Sequence, residues 1–182
     1  IIIVTEEIGI KKSFLNFHKF LIETCPLYPS DELNNLSDSK NKKINLAFFS
    51  SDIRHRHAVT FFLKTVLMNY DKEKFDIFLY FNNKEDDTTK EFKDYIPRTK
   101  NMLGESDIDV INSIRNDKID IMINLMGVSS EHRLELFKNR LAKKQVLWCG
   151  YNNTTGIDQM DYLISDKNSI YTDEKKFYSE EI

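Results

Sequence analysis

The chain has 182 residues, 41% of them hydrophobic, and a formal net charge of −3; it can bury a core and is not a disordered polymer. That mildly acidic balance lacks the concentrated basic surface that nucleic acid or an anionic membrane demands, so neither is expected as a partner. Its two cysteines, Cys25 and Cys149, have no metal-ligand spacing, so neither a disulfide framework nor a zinc site is expected, and a reducing cytoplasm is the default location.

In chain order, Phe14, Phe17, Leu21 and Ile22 share one face of a helix expected over Lys12 to Glu23, which makes residues 1–25 a helical appendage. Pro26 to Lys43 is rich in Ser, Asn, Asp and Lys and reads as a linker. From Ile44 the pattern alternates. A buried strand is expected over Ile44 to Phe49 and a helix from about His57 to Tyr70, with Phe61, Leu63, Lys64, Leu67 and Met68 at helical spacing. A strand over Phe75 to Phe81 and a polar loop over Asn82 to Thr89 follow. Ser106 is the expected N-cap of a helix reaching Lys118, with Ile108, Ile111 and Ile114 on its apolar face. The near-continuous apolar run Ile119 to Leu125 suits a parallel strand covered on both faces. A helix over Ser130 to Asn139 and strands over Gln145 to Cys149 and Tyr162 to Ser165 complete a doubly wound α/β sheet over residues 44–182. No apolar run approaches the roughly 18 residues of a membrane span. The opening IIIVTEE and closing YSEEI look cut from a longer α/β pattern, so a fragment is expected.

If the strands are parallel, the corners Ser50 to His57, Asn124 to Ser130 and Gly150 to Gly156 converge on one crevice at the carboxyl edge of the sheet, where open α/β sheets bind ligands. His57, at a helix start, stands where free N–H groups and the helix dipole favour a bound anion and a neutral imidazole. From position alone an N-cap or surface histidine that satisfies the turn is the favoured reading, and His55 could substitute for it. Asp52 caps the helix or ties down the turn. Gly127 supplies a positive φ or a close approach beside Asn124 and Ser129. Gly150, Gly156, two amides and two hydroxyls form a composition able to grip a sugar or phosphate, or an ordinary turn. No GxGxxG follows Phe49 and no GxxxxGK[ST] occurs, which disfavours a dinucleotide dehydrogenase and a P-loop nucleotidase. His132 sits on a helix that reads as solvated.

These corners resemble the catalytic region of the O-linked N-acetylglucosamine transferases of the Spindly type, in which tetratricopeptide repeats precede a two-domain glycosyltransferase. SSDIRHRHAVTFFL resembles the family's SSDFxxH and its following helix, and KEKFDIFLY its RxRFEVFxY strand. The long segment from Asp120 to Asp166 resembles DILVDLxGHTxxxRLxxFxxRPAPxQVxWLGYPGTTGxxxMDYxxxD. Order and spacing agree over residues 44–182. The family histidine aligns with His57 after one inserted residue; the second motif's aspartate is Asn124 and its histidine Val128, and the Pro-Gly of the third is Asn152-Asn153.

The resemblance implies the Rossmann-like N-terminal domain of a GT-B enzyme, with the nucleotide held mainly by a C-terminal domain absent from this chain. It implies inverting, metal-independent transfer from UDP-N-acetylglucosamine to a Ser or Thr hydroxyl of an acceptor protein, with no cofactor beyond that donor. His57 and Asp52 would be catalytic; Ala58, Val59, Asn124, Gly127, Cys149, Gly150 and Thr154 would contact substrate. The departures leave open a fucose or glucose donor, or a non-catalytic carbohydrate- or peptide-binding module.

Overall fold

The computed structural model describes residues 43–128, 133–166 and 168–182; the expected appendage and nearly all of the linker lie outside them. The elements run β1 (Ile44–Ser50), α1 (Ala58–Asn69), β2 (Phe75–Phe81), α2 (Asp87–Tyr95), β3 (Thr99–Asn101), α3 (Asp107–Asn116), β4 (Ile121–Asn124), a 3-10 helix (Leu134–Asn139), β5 (Lys144–Trp148), β6 (Tyr162–Ile164) and a second 3-10 helix (Thr172–Phe177). The six strands form one sheet in the order β3-β2-β1-β4-β5-β6, parallel throughout. The order reverses between β1 and β4, the topological switch point at which doubly wound sheets open a crevice.

Both faces are covered, which is why the central strands read as unbroken apolar runs rather than alternating ones. Ala47 and Phe49 of β1 point into one core with Val110, Ile111 and Ile114 of α3 and Phe137 of the first 3-10 helix. Phe48, between them, points into the other with Leu63 and Leu67 of α1 and Phe92 of α2. Gln145 is fully buried in β5, and its side chain is satisfied on both ends: Nε2 donates to the carbonyls of Phe137 and Gln159, and Oε1 accepts from Leu141 N at 2.8 Å. A buried amide so paired costs little and fixes the strand to its flanking loops.

Four expectations need correction. The segment after Phe81 is a loop only as far as Asp86; α2 begins at Asp87 and β3 follows it. Helix α2 is hard to read because only Thr89 and Phe92 of its nine residues are buried. The described part of Ser130 to Asn139 is a 3-10 helix, with Leu134, Leu136, Phe137 and Asn139 buried. Helix α1 buries Val59, Thr60, Leu63 and Leu67, whereas Phe61 and Met68 are 63% and 56% exposed. Finally, the strand expected to reach Cys149 ends at Trp148, because Cys149 has φ +75°. Ser106 does cap α3, accepting from Asp109 N.

Asp86 joins two parts of the structure. One oxygen accepts from Thr89 N at 3.0 Å in a capping box, and the other accepts from His55 N at 2.8 Å. Although partial burial works against ionisation, the N–H groups of His55, Thr89 and Thr88 hold its carboxyl below the usual range. Asp86→Ala removes a helix cap and frees the turn containing His55, so a loss of about 1–2 kcal/mol is expected in denaturant unfolding. A loss confined to a few tenths would mean that solvent replaces both bonds.

Candidate active site

The first corner, Ser50 to His57, is a pinned loop. Thr60, buried in the first turn of α1, donates through Oγ1 to the carbonyls of Asp52 and Arg54 and accepts from Arg54 N. Asn83 Nδ2 donates to the Ile53 carbonyl at 2.9 Å, and Ile53 itself is fully buried. Asp52 N donates to Ser50 Oγ. These bonds come from α1 and from the end of β2, so the loop is set by the sheet beneath it.

His57 occupies the N-cap position of α1 with φ −87° and ψ 139° and makes no side-chain cap bond. Its Nε2 faces Asp52 Oδ1 at 3.5 Å, and its side chain is 31% exposed. Its Nδ1 is buried and finds no hydrogen-bond partner among the described residues. Asp52, 14% exposed, also takes Arg54 at 3.1 Å, so it ties the turn and does not cap the helix. The carboxylate favours a proton on Nε2, which leaves the Nδ1 lone pair to accept. His55 is exposed.

The second corner begins at Asn124, which is fully buried. Its Oδ1 accepts from the N–H groups of Met126 and Gly127, each at 2.8 Å, an Asx turn that bends the chain directly after β4. Its Nδ2 has no partner among the described residues. Gly127 has φ +55°, and a Cβ there would lie 2.4 Å from Tyr151 Cδ1. Asn124→Ala leaves two buried N–H groups unpaired and is expected to cost about 2–3 kcal/mol. Asn124→Asp keeps the acceptor and should lose less; equal losses in thermal melts would show that packing, not the turn, sets the cost.

At the third corner Gly150 N donates to the Trp148 carbonyl at 3.0 Å across Cys149 at φ +75°, a γ-turn of the rare, strained kind. This brings Gly150 against the second corner, where a Cβ would sit 1.8 Å from the Leu125 carbonyl oxygen and 3.3 Å from Val59 Cγ2. Ser51 N in turn donates to Met126 Sδ. The three corners expected from the sequence therefore meet at the switch point, with His57 beside them. Burial pushes the Cys149 thiol up, which disfavours a reactive thiolate. Thr154 is buried, its hydroxyl bonded to Glu180 Oε2 at 2.8 Å and to Ser179 Oγ at 3.0 Å. Ala58 is exposed and Val59 buried at the start of α1; Ser129 and His132 lie outside the described residues.

Sequence reasoning missed the groups that hold the corners. Glu180, buried near the end of the chain, accepts from Thr154 Oγ1, Thr155 N and Thr155 Oγ1. Arg133 spans the rim by donating to the Met102 carbonyl, Asn82 Oδ1 and Asp107. No periodicity links Glu180 to Thr154, and only the fold brings them together. Among the described residues no group of three or more His, Cys, Asp or Glu side chains could hold a metal ion, and no helix is long and apolar enough to cross a membrane.

Comparison with known proteins places this geometry. The chain is 31% identical over 154 residues to the probable UDP-N-acetylglucosamine--peptide N-acetylglucosaminyltransferase SPINDLY of Arabidopsis thaliana, a match covering 82% of this chain and 17% of that protein. It is 26% identical over 163 residues to the UDP-N-acetylglucosamine--peptide N-acetylglucosaminyltransferase of Caenorhabditis elegans, covering 87% of this chain and 14% of that one. A solved mutant of the Thermobaculum terrenum O-GlcNAc transferase shares the fold, with a TM-score of 0.79 at 24% identity over 94% of this chain and 33% of the other. The chain thus spans about a sixth of the curated relatives it matches. The model of glycosyl transferase family 41 matches residues 6–182, and the chain belongs to that family.

Proposed function

We propose that this chain is the N-terminal catalytic half of a GT-B enzyme that transfers N-acetylglucosamine from UDP-N-acetylglucosamine to Ser or Thr hydroxyls of proteins, with inversion and without a metal. The observation that carries the reading is His57 at the first corner, its Nε2 facing Asp52 and its Nδ1 buried without a partner among the described residues. The names of the relatives supply the donor and the peptide acceptor.

In this reading the acceptor oxygen attacks the anomeric carbon from the face opposite the diphosphate. The new C–O bond forms as the bond to the diphosphate breaks, and UDP leaves with the electron pair. His57 Nδ1 takes the hydroxyl proton while Asp52 holds the ring through Nε2. Helix α1 begins without a side-chain cap, so the first-turn N–H groups of Ala58 and Val59 are suited to an anionic group. Gly150 lets the third corner pack against the Leu125 carbonyl of the second, and Asn124 Nδ2 supplies a donor there. The proposal also includes upstream tetratricopeptide repeats, a second Rossmann-like domain with most of the nucleotide contacts, and a cytoplasmic location.

The test is transfer by the longest natural chain that carries this domain. Labelled UDP-N-acetylglucosamine and Ser/Thr acceptor peptides should yield a β-linked product whose formation survives chelation of divalent metals. Isolated residues 1–182 should bind the donor far more weakly in calorimetry and transfer nothing. Product from a fucose or glucose donor instead would reassign the sugar. A second reading, a non-catalytic binding module, draws on Asn124 and Val128 standing where the family pattern has Asp and His; nucleotide-sugar binding without transfer would select it.

A further inference from the structure

Asp52 and His57 reach the first corner from different elements. Asp52 follows the end of β1, whereas His57 begins α1. Their side chains meet at 3.5 Å, Nε2 to Oδ1, which is the outer limit of a hydrogen bond. A relative shift of about 0.5 Å is therefore enough to make or break the pair.

One side chain joins the two elements. Thr60 lies in the first turn of α1, at the third helical position after His57, and is 6% exposed. Its Oγ1 stands 3.0 Å from the Asp52 carbonyl oxygen and 2.9 Å from that of Arg54, and it accepts from Arg54 N at 3.2 Å. The hydroxyl has one proton to give, so it serves the two carbonyls in turn while it holds Arg54 N. A helical threonine commonly turns its hydroxyl back onto its own helix, as Thr65 does toward the Phe61 carbonyl at 3.2 Å. Thr60 is turned onto the preceding loop instead. Asn83 and Asp86 also hold that loop, through the Ile53 carbonyl and His55 N, but neither lies on α1, the helix that carries His57.

We infer that Thr60 is the positioning residue of the Asp52–His57 pair, its hydroxyl setting the separation at which the carboxylate orients the imidazole. The inference rests on the part in transfer proposed for His57. Thr60→Val keeps the shape of the side chain but puts a methyl in place of the hydroxyl. A carbon needs about 3.3–3.6 Å from a carbonyl oxygen, so both approaches must open by about 0.3–0.7 Å. That is as large as the margin on the contact between Asp52 and His57. No main-chain group loses its last partner, because Arg54 N also donates to the Asp52 carbonyl at 3.0 Å and His57 N to the Arg54 carbonyl at 3.3 Å. The variant should therefore fold. Thr60→Ala removes the hydroxyl without the push, and Thr60→Ser restores it.

Two measurements on the longest natural chain that carries this domain test the assignment, and the first needs no transfer. Diethyl pyrocarbonate acylates neutral imidazole, and trypsin cutting after Arg56 and Lys64 isolates His57 from His55 in the peptide His57 to Lys64. Labelling of His57 in the native protein, read by mass spectrometry, should rise several-fold in Thr60→Val and Thr60→Ala and stay at the parent level in Thr60→Ser and in the control Thr65→Val. In the second, Thr60→Val should lower kcat roughly 10-fold or more with the donor KM within about twofold of the parent, and Thr60→Ser should recover most of the loss. In an Asp52→Asn background the same substitution should add less than about twofold, since the charge it positions is already gone. Labelling unchanged in both Thr60→Val and Thr60→Ala, or a kcat loss that adds in full to that of Asp52→Asn, would overturn the assignment. Labelling that rises while neither Thr60→Val nor His57→Ala slows transfer would uphold the hold on His57 and refute its part in the reaction.

Discussion

Gly150→Ala is expected to lower the melting temperature of the domain by about 6–12 °C, or to prevent folding. The Cβ would be placed 1.8 Å from the Leu125 carbonyl oxygen and 3.0 Å from its carbon. That oxygen belongs to backbone directly following β4, so it cannot swing aside as a flexible side chain would. Overpacking of this kind costs about 3 kcal/mol, which for a domain of this size corresponds to the stated shift. The φ of Gly150 is not in the positive region, so the cost is steric and not conformational. Gly104 is the natural control: its φ is +83° but a Cβ there would meet nothing within 4 Å. Gly104→Ala should therefore cost only about 1–2 kcal/mol. Calorimetric melts of both variants decide the matter, and equal losses would show that the contact at Gly150 is relieved by loop movement. Any kinetic defect of a larger residue at Gly150 must therefore be read beside a melt.

Under the proposed transfer, His57→Ala in the longest natural chain is expected to lower kcat by roughly 100-fold or more, while His55→Ala stays within a few-fold of the parent. The two histidines are two residues apart and differ in setting. His57 has one ring nitrogen facing Asp52 and the other buried without a partner among the described residues. His55 is exposed, and it is the backbone of that residue that is anchored, through Asp86. Asp52→Asn should fall between them, since it keeps the shape of the turn but removes the charge that orients the imidazole. Single-turnover rates with saturating donor separate chemistry from binding. Equal losses from both histidines would refute the distinction, and no loss from either would favour the binding module.

Much of this architecture is legible in the residues because it rests on periodicity. Apolar runs such as Ile44 to Phe49 and Ile119 to Leu125 announce strands covered on both faces, and Ser106 announces its helix by capping it. The positions of the three corners follow from the strand ends once the sheet is parallel. Helix α2 is hidden because its sequence, DTTKEFKDY, offers two buried positions in nine; its one clear signal is the capping box formed by Asp86 and Thr89. Strand β3 is three half-buried residues, TKN, with no alternation to read. In α1 the apolar residues outnumber the positions that the sheet can cover, so spacing alone could not say that Phe61 and Met68 face outward. The supports of the site are less legible still. Thr60, Asp86, Arg133 and Glu180 act through bonds to residues distant in sequence or through main-chain groups, and neither kind of partner leaves a pattern in the chain itself.

Glu180 gives the third corner a mechanical connection. Its carboxylate grips Thr154 and Thr155, and the adjoining Glu181 pairs with Tyr162 beside β6. A polypeptide continued past Ile182 would leave from that grip, so a load applied there is transmitted along a few bonds to the loop that carries Gly150. Glu180→Gln would therefore loosen the third corner directly, through its bonds to Thr154 and Thr155.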